Sequence, residues 1–381
     1  MSRILHIFCG PFSTRQGTQV LVGQTCRLSA EAGHEVHLLT YAHGSSYPKE
    51  PFEIHRIPDF PRFNSERSGL AWQKPLLDLS VAMRTRDLCA KLRPDILHVH
   101  HYEALLAAQW ARLSGPPILF HLHAMFGPEL GTYVSKSLFG VATMVGRTLD
   151  RIGPHLADLT VTVHPWITKQ LLNMGHNPQT VHTLKPPFEL PNSPVVSAAT
   201  KDFDVFNLLY TGNLDAYQNM ETLFDALALL PKGFLEKIKL KIATDSRFSP
   251  SLYPSITPEI LARIEIVEHS TYPQIISLIK SADLVIVPRQ TPGGAPIKLI
   301  NALACGAPVL VDSIVADGIV HGREAWLVDM SCTDAVASAI TDLINNPELA
   351  QRLKKGALVA SKREHSPTKY VQDLNQYYRD L

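Results

Sequence analysis

A chain of 381 residues with 45% hydrophobic side chains can fold as two domains of ordinary size, each with its own core. A net charge of +1 provides no global pull toward nucleic acid or an anionic membrane, which excludes both as partners bound by bulk charge. Five widely spaced cysteines (Cys9, Cys26, Cys89, Cys305, Cys332) without a CxxC pair read as reduced thiols, and no apolar run is long enough for a signal peptide or a membrane span. A cytoplasmic protein is expected, with peripheral contact at the inner membrane face left open.

In chain order, Arg3 to Phe8 reads as a buried strand, followed by the flexible loop Gly10–Gly17. Thr18 is placed to cap a helix running to about Ala32, with Leu21, Thr25, Leu28 and Ala32 on its inner face and Gly33 ending it. Strands are expected at 34–40 and 52–57, a polar surface excursion at 58–74 and a helix at 76–92. Asp95-Ile-Leu-His-Val-His-His is a strand ending in histidines, 102–113 a helix and 117–121 a strand. The segment 134–156 carries Leu138, Val141, Val145, Leu149 and Ile152 at a helical period, and 159–163 and 180–184 read as strands.

Pro186 to Asp202 is proline-rich and short of regular signal, so it marks the domain boundary. A second alternating series follows, with strands at 206–210, 238–243 and 264–267 and helices at 220–230 and 273–280. A short strand is expected at 325–328, helices at 335–344 and 347–359, and a last amphipathic helix at 366–381 with Tyr370, Leu374 and Tyr377 on one stripe. Strands alternating with helices of this length imply an α/β protein of two doubly wound, parallel-sheet, Rossmann-like domains facing a cleft. The expected division is 1–187 as one domain, with helix 366–381 packing back on it, and 202–360 as the other.

The chain is organised around the stretch from Ile286 to Val311. Leu284-Val-Ile-Val287 is a strand covered on both faces, Gly293-Gly294 bends the backbone, Pro296 suits a helix start, and Gly306 ends the helix before the next strand. Lys298 and Asn301 lie three apart and share one helix face. A helix N-terminus with Arg289 and Lys298 beside it suits an anion, most simply a diphosphate. Neither half carries GxGxxG or a Walker loop, which speaks against nicotinamide and P-loop chemistry.

The motifs Gln16-Gly-Thr-Gln, Ala32-Gly-His-Glu-Val, Phe120-His-Leu-His123, Tyr210-Thr-Gly-Asn-Leu and Ala302-Leu-Ala-Cys-Gly-Ala-Pro-Val, in this order along the chain, together resemble the retaining glycosyltransferases of family 4, which have the GT-B fold. Gln16-Gly-Thr-Gln and Ala32-Gly-His-Glu-Val look like the family's N-terminal glycine loop and first helix end. Phe120-His-Leu-His123 matches the strand whose last histidine lines the active site, and Tyr210-Thr-Gly-Asn-Leu with Gln218-Asn-Met-Glu looks like the donor loop and helix. Ser281-Ala-Asp-Leu-Val-Ile-Val-Pro and Ala302-Leu-Ala-Cys-Gly-Ala-Pro-Val frame the donor site. The chain departs from the pattern at four charged positions. Gly293 and Asn301 stand where the family has a pair of glutamates, and Asn213 and Gln218 where it has basic residues on the diphosphate.

The resemblance implies a metal-independent hexosyltransferase acting on a nucleotide-diphosphate sugar as co-substrate, with retention of configuration and no cofactor. The acceptor is then a carbohydrate, a glycolipid or another hydroxyl compound, as in polysaccharide biosynthesis. His123 is the catalytic candidate; Gly17, Gly212, Asn213, Arg289, Gly293, Gly294, Lys298 and Asn301 are the donor-binding candidates; Glu129 is the acceptor-side candidate. Arg289 and Lys298 are expected to replace the missing positive charge. A non-catalytic GT-B scaffold and a GT-B sugar-nucleotide epimerase are the alternatives. His98 and His100 alternate on one strand, and His121 and His123 on its expected neighbour, so each pair points to one face; zinc is the less favoured reading of them, and no metal site is expected. Lys136, Arg147 and Arg151 on helix 134–156 offer a contact for anionic lipid, read first as a solvated face.

Overall fold

The structure is a computed structural model that describes residues 1–12, 17–44, 50–60, 62, 71–112, 115–135, 137–188, 205–268, 270–290 and 293–381. Two compact units divide the chain: 1–187 with 293–295 and 367–381, and 188–292 with 296–366.

The first unit holds β1 (Arg3–Phe8), α1 (Gly17–Glu31), β2 (Glu35–Thr40), β3 (Glu53–Arg56), α2 (Lys74–Leu92), β4 (Ile96–His100), α3 (His101–Arg112) and β5 (Ile118–Leu122). It continues with α4 (Phe126–Glu129), α5 (Phe139–Ile152), β6 (Leu159–Thr162), α6 (Pro165–Asn173) and β7 (Val181–Thr183). The second unit holds β8 (Phe206–Thr211), α7 (Met220–Leu229), α8 (Lys232–Leu235), β9 (Ile238–Ala243), α9 (Pro258–Leu261), β10 (Ile264–Val267) and α10 (Tyr272–Ser281). Then come β11 (Leu284–Val287), α11 (Ile297–Ala304), β12 (Val309–Val311), β13 (Trp326–Leu327), α12 (Thr333–Asn345) and α13 (Pro347–Glu364); α14 (Pro367–Arg379) returns to the first unit.

Both sheets are parallel throughout, ordered β3-β2-β1-β4-β5-β6-β7 and β10-β9-β8-β11-β12-β13. Helices cover both faces, so central strands such as Leu284-Val-Ile-Val are buried along their whole length. Strand order reverses between β1 and β4 and again between β8 and β11. In open α/β sheets the carboxyl ends of the strands at such a reversal are where ligands bind.

Several elements differ from the sequence reading for identifiable reasons. Helix α1 begins at Gly17, so Thr18 sits inside it rather than capping it, and Ala32 lies exposed past its end. The stripe of α14 is Tyr370, Leu374 and Tyr378, spaced by four, while Tyr377 turns aside to stack on His182. Tyr370 hydrogen-bonds Thr25 of α1 at 2.7 Å, and Tyr378 hydrogen-bonds His98 at 2.7 Å. The helix expected over 134–156 is shorter, α5, and Leu138, Val141, Val145 and Ile152 face solvent. Helix α6 has no counterpart in the sequence reading, although Pro165 at its first position and the His164 imidazole accepting from the Trp166 N–H are ordinary start signals. The expected linker 186–202 and the excursion 58–74 fall mostly outside the described residues.

Candidate functional site

In the second unit, the carboxyl ends of β8 and β11 carry the candidate donor residues. Strand β8 ends at Thr211, and the chain turns at Gly212, whose φ of +119° favours glycine. The Gly212 N–H donates to the Ala243 carbonyl at 2.9 Å, which fixes the turn on β9. A Cβ at 212 would run into Cε of Lys298, so only a glycine leaves room for this lysine. Lys298, in the first turn of α11, donates to the Tyr210 hydroxyl at 2.8 Å and to Gln218 Oε1 at 2.6 Å. Gln218 Nε2 donates to Asn213 Oδ1 at 2.8 Å, and Asn213 Nδ2 to Asp215 Oδ2 at 2.6 Å, so one polar chain links Lys298 to the loop after β8.

Arg289, two residues past β11, is buried and lies over the Tyr217 ring at 5.6 Å. Burial of the Lys298 ammonium, with the Arg289 charge nearby, holds its pKa well below the ordinary lysine value, while Asp215 works in the opposite sense. The Lys298 amine and the Arg289 guanidinium thus lie close enough to feel one another, a pairing of cationic groups whose chemistry suits an anion. Asn219, at φ +55°, donates to the carbonyls of Pro288 and Met330 at 3.1 and 3.0 Å and ties α7 to the end of β11. Lys298 and Asn301 diverge despite their spacing: Asn301 is buried and accepts from the Tyr272 hydroxyl at 3.2 Å. Tyr210 and Tyr272, the phenols that hold these two side chains, were not singled out from the sequence. Aromatic residues at strand and helix ends carry no local signal of what they will touch.

In the first unit, five histidines line one face of β1, β4 and β5. The register places His6 opposite His98 and His100 opposite His121. His98 Nε2 meets His121 Nδ1 at 3.1 Å, His6 Nδ1 meets His100 Nε2 at 3.2 Å, and His100 Nδ1 meets His123 Nε2 at 3.0 Å. All five are buried, and burial first, then neighbouring imidazoles, pushes their pKa values down, to about 3 for His6 and His121. The imidazoles are therefore neutral at ordinary pH. His6, which the sequence reading did not include, joins the group because β1 lies beside β4. Two sets, His6-His98-His100 and His100-His121-His123, hold their ligand atoms within 4.8 Å of one another, a donor set suited to a divalent metal. Most of those nitrogens already bond one another; of the fully buried ones, His6 Nε2 and His121 Nε2 lack a partner among the described residues.

His123 is the last histidine of this ladder, just past β5, and its ring lies 4.8 Å from that of His101. Glu129 ends the short helix α4 and is half-buried. Gly17 is the exposed first residue of α1. Gly293, at φ +50°, and Gly294 group with the first unit, where Gly294 bridges Ala124 in antiparallel fashion. The structure brings Gly212, Asn213, Arg289 and Lys298 together in the second unit and leaves Gly17, His123, Glu129, Gly293 and Gly294 in the first.

Two family models match the chain: Glycosyltransferase Family 4 over residues 15–190, and Glycosyl transferases group 1 over residues 198–358. The chain belongs to glycosyltransferase family 4. It is 21% identical over 384 residues to the N-acetyl-alpha-D-glucosaminyl L-malate synthase of Bacillus anthracis, covering 96% of this chain and 94% of that one. Its fold is similar to that of sucrose-phosphate synthase from Thermosynechococcus elongatus, at a TM-score of 0.80 and 16% identity over 100% of this chain and 99% of the other. It is also similar to Anabaena HepE in complex with UDP and glucose, at a TM-score of 0.76 and 16% identity over the whole of both chains. This family 4 glycosyltransferase thus has the GT-B fold, and no helix among its described residues is long and apolar enough to cross a membrane.

Proposed function

We propose that this glycosyltransferase moves a sugar from a nucleotide-diphosphate sugar to a hydroxyl of a glycan, lipid or other acceptor, with retention of configuration and without a metal. One observation carries the reading. The Lys298 ammonium sits 2.6 Å from Gln218 Oε1, at the place where the resemblance puts a basic residue of the loop–helix unit, and Arg289 stands beside it. The charge missing from Asn213 and Gln218 is supplied from α11 and from the end of β11. Departure of a nucleoside diphosphate builds negative charge on its oxygens, and fixed cations stabilise that charge as it forms. His123, neutral and held by His100, would hydrogen-bond a hydroxyl of the sugar or of the acceptor; Asn301 would meet the ribose.

The experiment is turnover of α-configured nucleotide sugars followed by proton NMR, with and without chelator. The first sugar released or transferred is expected as the α anomer at a chelator-independent rate. A β product would refute retention, and loss of turnover with chelator would refute metal independence. A changed sugar still attached to its nucleotide, formed without acceptor, would identify an epimerase.

A further inference from the structure

Helix α5 is turned inside out relative to its own sequence. The apolar residues Leu138, Phe139, Val141, Met144, Val145 and Ile152 on or beside it are 45–63% exposed, while its buried positions are Gly146 and Asp150. Two features fix that orientation. A Cβ at 146 would run into the Phe126 carbonyl, so the helix can approach α4 only along this glycine. The Asp150 carboxylate accepts from the N–H groups of Phe126 and Gly127 at 2.8 and 2.7 Å and from the Tyr102 hydroxyl at 2.6 Å. A buried polar lock therefore holds the apolar side outward, at the cost of leaving large side chains in water.

The charges on the helix point to an occupant. Asp150, its one carboxylate, is buried, and the exposed charges are Arg147 and Arg151. Helix α3, which is tied to α5 by the Tyr102–Asp150 hydrogen bond, leaves Trp110 55% exposed, a residue suited to the lipid–water boundary. We propose that α5 docks this glycosyltransferase on the surface of an anionic bilayer, apolar stripe in the acyl boundary and arginines among the headgroups. A second copy of the chain fits less well, because a two-fold contact across α5 would set these arginines against their own copies. The proposal does not depend on the donor site.

The test is co-sedimentation of the full chain with vesicles of phosphatidylcholine alone or mixed with phosphatidylglycerol, at low and high salt. Binding is expected to the mixed vesicles only and to weaken with salt. Arg147→Glu and Arg151→Glu should each lower partitioning at least about fivefold. Met144→Glu with Val145→Glu should abolish it, with the thermal midpoint unchanged, because these side chains are exposed. Protein left in the supernatant with both vesicle types would overturn the proposal, as would undiminished binding by the Met144/Val145 variant. A solution dimer split by that same variant would overturn it in favour of a second copy.

Discussion

Acidification should destabilise the first unit well before carboxylates ordinarily titrate. Six buried or half-buried imidazoles, His6, His98, His100, His101, His121 and His123, have pKa values held down chiefly by burial, to about 4 for His101 and about 3 for His6 and His121. In the unfolded chain each returns to about 6.5. A depressed folded pKa means that the unfolded chain binds more protons, so stability is fully present above about pH 6.5 and is lost as pH falls toward about 3 to 4. Each histidine contributes a loss of about 1 kcal/mol over the first unit below pH 6.5. Glu103 runs the other way: burial lifts its carboxyl to about 7, so its contribution is present below its unfolded value and lost as pH rises toward 7. Taking Glu103 as offsetting one histidine leaves a net loss of roughly 4–5 kcal/mol, against a typical total of about 5–15 kcal/mol. Urea unfolding followed by tryptophan fluorescence reads this directly, because Trp72, Trp110 and Trp166 lie in the first unit and Trp326 in the second. The first-unit transition should move to markedly lower urea between about pH 7.5 and about pH 5.5. A first-unit transition that stays put, or a stability maximum at the lower pH, would refute neutral imidazoles in the ladder.

Lys298→Ala and Arg289→Ala should each weaken nucleoside diphosphate binding by about 1.5–3 kcal/mol, about 10- to 150-fold, measured by calorimetry; unchanged affinity in both would remove the replacement-charge account. Gly212→Ala should cost about 1–3 kcal/mol in thermal unfolding and also lower affinity, since it strains the φ of +119° and displaces Lys298. His123→Ala should cut turnover while leaving nucleotide affinity nearly intact, and a wild-type rate would make this histidine structural only. Because burial and Arg289 lower the Lys298 pKa, diphosphate binding should take up protons at alkaline pH, seen as a buffer-dependent binding enthalpy; no uptake would mean that Lys298 is already fully charged in the free protein.

Strand β11 was legible because a parallel, doubly covered strand writes itself as an apolar run, and the edge-side strands β9 (IKLKIA) and β10 (IEIV) because apolar and charged residues alternate along them. The amphipathic signal misled at α5, where period alone assigns an inner face and the actual inner face is set by Gly146 and Asp150 locking to α4 and Tyr102. A buried carboxylate partnered by a residue 48 positions away leaves no trace in local pattern. The same holds for the ladder. Two histidine pairs were visible on their strands, but His6 and Tyr378 join them only through strand order and the return of α14. In the second unit the cations Arg289 and Lys298 were visible as chemistry, whereas the reach of Lys298 to Gln218 depended on Gly212 leaving the space.

The central claim is a diphosphate site built from Lys298 and Arg289. Its most direct test is calorimetric titration of the purified protein with UDP, GDP, ADP and TDP, each with and without chelator. The account predicts micromolar, chelator-insensitive binding of one nucleotide, lost in the Lys298→Ala, Arg289→Ala double variant. Absence of binding to all four, or equal binding by the double variant, would contradict it.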